Sequence, residues 1–126
     1  MAMNLCVLFG GISPEHEVSL RSAESVLNHL NGDTYHIYPV GITKAGKWIY
    51  FGDTDWSMRP GGTWQDCPEN GPAAISPVRG QGLLLWRKGG VEEIPLDCVF
   101  PVLHGENGED GSVQGLMQVA GIPCVG

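Results

Sequence analysis

Two short polar segments hold most of the residues able to do chemistry: Gly10-Gly-Ile-Ser-Pro-Glu-His-Glu-Val-Ser19 and His104-Gly-Glu-Asn-Gly-Glu-Asp-Gly111. In the first, Gly10 and Gly11 let the backbone turn sharply and approach a ligand closely. The segment leads into a helix-periodic stretch, so it opens a helix whose free N–H groups would favour an anion. Glu15 and Glu17 stand there instead. They would repel a phosphate; a carboxylate at this point suits an ammonium group, or else complements the helix dipole. His16 reads as a solvated helix residue. In the second segment, His104 follows an apolar run directly, where an imidazole can donate a hydrogen bond or act as a general acid or base near neutral pH. The alternative is a core-edge histidine satisfied by the backbone. Glu109 and Asp110 also suit the cap of a following helix.

Other chemistries fail on pattern. Gly105, Gly108 and Gly111 recur every three residues, so the segment is not GxGxxG, and no GxxxxGK[ST] occurs. Ser19 and Ser112 lack a GxSxG elbow. His16, Glu17, His104 and Glu109 do not follow a compact metal-ligand spacing, and no metal site is expected. Cys6, Cys67, Cys98 and Cys124 form no CxxC and read as structural thiols, three of them in apolar runs. Seven basic against fourteen acidic residues give net −7, without a Lys/Arg cluster. That excludes a nucleic-acid or anionic-membrane surface. The apolar run Leu5–Phe9 is too short for a signal sequence or a membrane span, so a cytoplasmic protein is expected.

The elements that must position these segments follow from periodicity. At 126 residues the chain is one domain. Asn4–Phe9 is a continuous apolar run ended by glycines, which predicts a buried parallel strand. Ser13 as N-cap and Pro14 at the first helical position predict a helix start. Leu20, Ala23, Val26, Leu27 and Leu30 form its apolar face, and Gly32 supplies the C′ position. A second strand is expected over 35–42, a turn at 44–47 and a short strand at 48–51. Between 52 and 82, glycines and prolines leave no room for a regular element of length. Leu83–Arg87 and Val91–Ile94 form a hairpin around Lys88-Gly-Gly90. Residues 52–94 therefore read as an irregular surface insertion containing a β-hairpin. Leu96–Leu103 is a third buried strand. A helix with Val113, Leu116, Met117 and Ala120 on one face follows, stopped by Gly121, and Ile122–Val125 is a last short strand. Strand, glycine turn, helix, strand predicts α/β architecture: a Rossmann-like parallel sheet with flanking helices.

"VLFGGISPEHEVSLRSA" (7–23) and "VFPVLHGENGEDGSVQGLMQVAGIPCVG" (99–126) together resemble the N-terminal domain of bacterial D-alanine–D-alanine ligases, of the ATP-grasp superfamily. The resemblance runs along nearly the whole chain, loosely through 44–95. It implies a pre-ATP-grasp domain, with the central and C-terminal ATP-grasp domains absent. The family reaction joins two D-alanines for peptidoglycan: ATP phosphorylates the first carboxylate, and the second amine attacks the acyl phosphate. ATP and Mg²⁺ are the implied cofactors of the complete enzyme, and neither is expected to bind this domain alone. By resemblance, Glu15 holds the ammonium of the first D-alanine, Val18 lies near its methyl group, and His104 lines the same pocket and joins its hydrogen-bond network. These are the expected catalytic and substrate-binding residues. Gly10, Gly11, Gly105, Gly108, Glu109 and Gly111 are expected to support the pocket. The implied partners are D-alanine and the remaining ligase domains, with a homodimer formed partly through this domain. Rival readings are a D-alanine–D-lactate type ligase, a stand-alone amino-acid-binding domain and, less suited because GxGxxG is missing, an NAD-type dehydrogenase fragment. The chain by itself is expected to turn over nothing. Phosphate release above the protein-free rate, in the presence of ATP and D-alanine, would overturn that.

Overall fold

The computed structural model describes residues 3–11, 16–30, 33–52, 63–66, 70–103 and 112–124. Its central strand is β1 (Met3–Gly10), in which Cys6, Val7, Leu8 and Phe9 are fully buried. A run of four apolar residues without a polar alternation arises because both faces of the strand are covered. Helix α1 (His16–His29) lies on one face, where Leu20, Ala23 and Leu27 meet Leu5, Val7 and Phe9. Helix α2 (Ser112–Ala120) lies on the other, where Val113, Met117 and Ala120 join Cys6 and Leu8. The edges of β1 are covered as well. Strand β2 (Tyr35–Ile42) pairs with it in parallel on one side, and β7 (Cys98–Leu103) in parallel on the other.

Beyond β2 the sheet continues with antiparallel strands: β3 (Trp48–Tyr50), β4 (Gly71–Ile75), β5 (Leu83–Arg87) and β6 (Gly90–Ile94). The order is β6-β5-β4-β3-β2-β1-β7, one seven-stranded sheet. The α/β architecture is as expected, with its parallel part formed by β2, β1 and β7.

Within 52–94, the described strands β4, β5 and β6 extend the sheet, with the expected hairpin at β5–β6. Ala73, Ile75, Leu83, Leu85 and Ile94 are buried in the same layer as α2. Strand β4 was not expected, because Gly71 and Pro72 open it and only Ala73, Ala74 and Ile75 carry strand-forming bulk. The hairpin β5–β6 is where the two runs joined by Lys88-Gly-Gly90 predict it. A short 3₁₀ turn, Thr63–Asp66, contributes Trp64, which is buried on the α1 side. Its ring meets Phe9 edge-on at 5.0 Å and Phe51 at 6.4 Å. Two further differences are local. The expected strand Ile122–Val125 is reduced, among the described residues, to a single parallel bridge between Cys124 and Val99. Of the thiols, Cys6 is fully buried, whereas Cys98 and Cys124 are half-buried; Cys67 lies outside the described residues. Burial pushes the Cys6 thiol far up, so it is inert as a nucleophile at neutral pH.

Trp64 sets a constraint on β2. A Cβ placed on Gly41 would collide with the Trp64 ring and stand 2.7 Å from Cε2 of Phe9. Gly115, on the exposed side of α2, has nothing within 4 Å of the same position. The same substitution is therefore expected to act in opposite directions. Gly41→Ala overpacks the core and should cost about 1–3 kcal/mol, whereas Gly115→Ala should stabilise the helix by about 0.5–1 kcal/mol. Urea unfolding midpoints of the two variants check the signs.

Candidate functional site

In an open α/β sheet a ligand crevice opens where successive connections leave the sheet in opposite directions, outside the carboxyl ends of the strands. Here that point lies between β1 and β7. The chain passes from β1 through α1, on one face, to β2 on one side of β1. It returns at β7 on the other side and continues into α2 on the opposite face. The parallel register pairs Gly10 with Leu103. The two polar segments singled out in the sequence therefore leave the sheet from adjacent strands at the same level.

The root of the first segment requires glycine. Gly10 has φ 86° and Gly11 φ 107°, both in the region L side chains rarely adopt. The Gly11 N–H donates to Ile42 O on β2 at 2.7 Å, so the chain is still held to the sheet as it turns away. Val18 lies in the first turn of α1 and is 46 % exposed, available to a neighbouring molecule or domain. Glu15, His104, Gly105, Gly108, Glu109 and Gly111 lie outside the described residues, as do Ser13, Pro14 and Gly32.

A residue that the sequence reading considered only as a nucleophile proves to organise this place. Ser19, fully buried on α1, accepts a hydrogen bond from Gly10 N–H at 2.7 Å and donates one to Val102 O. Its single hydroxyl thus joins α1, β1 and β7 at their common end. The signal was present in the sequence. Ser19 stands four residues before Ala23 and eight before Leu27, on the stripe of α1 that faces the core. A hydroxyl on such a stripe must find partners, because burying it without them is costly.

Two surface grooves, of about 430 and 570 Å³, lie on the antiparallel extension and share Asn70, Gly71 and Pro72. Neither is lined by a residue of β1, α1 or β7. In the first, Arg87 lies 5.6 Å from the Tyr50 ring centre and pairs with Glu92 at 2.9 Å. Burial raises the Tyr50 phenol above its usual range, and the Arg87 charge opposes that shift. The ion pair is about half exposed and contributes little to stability.

The described residues do not fit a nucleotide or its metal. No group of three or more His, Cys, Asp or Glu side chains among them could hold a cation. No phosphate-binding glycine pattern follows β1. No helix among them is long and apolar enough to cross a membrane.

A sheet wound outward on both sides of one strand, with a glycine turn at the reversal, defines a Rossmann-like α/β domain. The comparisons narrow the class. The family model described as D-ala D-ala ligase N-terminus matches residues 4–126, and the chain belongs to that family. It is 47% identical over 124 residues to a D-alanine–D-alanine ligase of Thermoanaerobacter sp. (strain X514), covering 97% of this chain and 33% of that protein. It is 43% identical over 123 residues to a putative D-alanine–D-lactate ligase of Streptomyces coelicolor, covering 95% of this chain and 33% of that one. Among solved structures, the VanG D-Ala:D-Ser ligase of Enterococcus faecalis superposes with a TM-score of 0.88 at 39% identity, over 99% of this chain and 36% of that chain. The D-alanine–D-alanine ligase of Coxiella burnetii superposes with a TM-score of 0.81 at 29% identity, over 98% of this chain and 35% of that chain. The chain spans about a third of the length of the curated relatives it matches.

The backbone at the first root gives a direct test. Gly11→Ala places a Cβ on a residue at φ 107° and is expected to lower stability by about 1–2 kcal/mol. Chemical denaturation compared with wild type measures it.

Proposed function

We propose that the protein of which this chain is the N-terminal domain is an ATP-dependent D-alanine–D-alanine ligase acting in the cytoplasm, and that this domain supplies part of the pocket for the first D-alanine. The observation that carries the reading is the pairing of Gly10 with Leu103 at the reversal between β1 and β7. It brings the segment bearing Glu15 and the segment bearing His104 off the sheet side by side, as one pocket needs. The family membership gives that pocket its substrate.

In this reading Glu15, one residue before the described start of α1, accepts a charge-assisted hydrogen bond from the substrate ammonium. Val18 borders the methyl group, which selects a small side chain. His104 holds a hydrogen bond at the same pocket, and Gly105, Gly108, Glu109 and Gly111 shape the segment that carries it. ATP would supply the phosphoryl group that activates the first carboxylate, and Mg²⁺ would neutralise its charge. The family resemblance puts both with the remaining ligase domains, and no step is assigned to them on this chain. A second copy of the protein completes the partners.

Two of the relatives take D-lactate or D-serine in their names, which favours a second reading that differs only in the second substrate. Product analysis with D-alanine, D-lactate and D-serine in competition separates the two. For the first site, Glu15→Gln in the complete protein is expected to raise the first-site D-alanine KM at least tenfold, since a neutral amide loses the charge-assisted bond. The second-site KM should change much less. Unchanged kinetics at both sites would remove Glu15 from the pocket and the assignment with it.

A further inference from the structure

We infer that Ser19 is a positioning residue: its buried hydroxyl fixes the ends of β1 and β7 against α1, and so sets the spacing between the two segments that form the first D-alanine pocket. The inference rests on the ligase reading for its substrate, and on geometry for its role.

The hydroxyl has one proton to give and lone pairs to share. The proton goes to Val102 O, the carbonyl one residue before β7 ends. A lone pair takes the N–H of Gly10, the last residue of β1. In a parallel pair with Gly10 opposite Leu103, these are the two groups that face each other where the ladder stops. Among the described residues this is the last rung between the two strands. Gly10 and Gly11 also lack side chains that could pack the turn in place. The pocket root is therefore held by this side-chain hydrogen-bond pair, delivered by the helix, alongside the Gly11 N–H bond to Ile42 O on β2.

The placement on α1 matters too. Val18 is the preceding residue in the first turn of α1, and Glu15 lies four before Ser19 in the sequence, next to the described start of the helix. Fixing Ser19 fixes the axial position and the rotation of that first turn relative to both strands. A displacement of about 1 Å at such a point is enough to weaken a charge-assisted contact made by the residues it carries. Ser19 itself is fully buried and needs no contact with the substrate.

The test uses the complete protein with Ser19→Ala, which removes only the hydroxyl. Leu27→Ala serves as the comparison, a buried residue two turns further along the same helix that destabilises the domain without touching the root. Two measurements are made. The first is backbone hydrogen exchange at Gly10, Gly11 and Leu103. Ser19→Ala should speed it at least tenfold there relative to the rest of β1, whereas Leu27→Ala should not single out these amides. The second is steady-state kinetics at the two D-alanine sites. Ser19→Ala should raise the first-site KM about tenfold and leave the second-site KM within twofold, and Leu27→Ala should leave both near wild type.

If exchange at the root stays at the wild-type rate, the positioning role is refuted, whatever the kinetics. If exchange rises but first-site KM does not, the hydroxyl is merely structural and the inference about the pocket is also refuted. If the wild-type protein shows no D-alanine-dependent turnover at all, the ligase reading fails instead, and the exchange measurement still decides whether Ser19 holds the two strand ends.

Discussion

Strand β1 is enclosed on four sides, by a helix on each face and a parallel strand on each edge, and the rest of the domain is arranged to complete that enclosure. Burying Cys6 to Phe9 removes each of these side chains from water and contributes roughly 1.5–3 kcal/mol for each large one. A strand with both edges paired and both faces covered must be reached by crossovers on each face. That requirement forces the chain to wind outward from β1 in two directions. The reversal, and therefore the crevice, is a consequence of burying one apolar strand completely.

The polar groups at the crevice are organised by the same enclosure. Backbone groups at a strand end have lost their ladder partners but still lie near the core, where an unpaired donor or acceptor is expensive. Ser19 resolves this for one N–H and one C=O together. A serine at this place is therefore explained by the accounting of hydrogen bonds at the end of a sheet.

The parallel half was legible because its signals are local and redundant. Asn4–Phe9 reads as buried strand from composition alone, and α1 and α2 read from apolar residues three and four apart. The register between β1 and β7, by contrast, spans more than ninety positions, and no local pattern encodes it. Strand β4 was less legible for a related reason. It is short and opens on a glycine and a proline, and Trp64, on the α1 side of the sheet, comes from a short 3₁₀ turn. Trp64 has no periodic neighbours to announce it; only Gly41, opposite Phe9, records the space it needs. At the candidate site the glycines were legible from their conformational demand. Ser19 was legible only through its place on the core-facing stripe of α1, since a small polar residue near a helix start otherwise looks the same in the sequence whether it faces water or the core.

The order of strands has a consequence for engineering. Strand β6 lies at one end of the sheet and β7 at the other, six strand spacings apart. The turn at Lys88 and Gly89 lies between β5 and β6 and the reversal between β1 and β7, so at about 4.8 Å per spacing they stand five spacings, some 24 Å, apart across the sheet. Growth or loss of length at that edge leaves the enclosure of β1 intact. A fluorophore, an affinity tag or an inserted domain is best carried there, where it reports on the molecule without entering its chemistry.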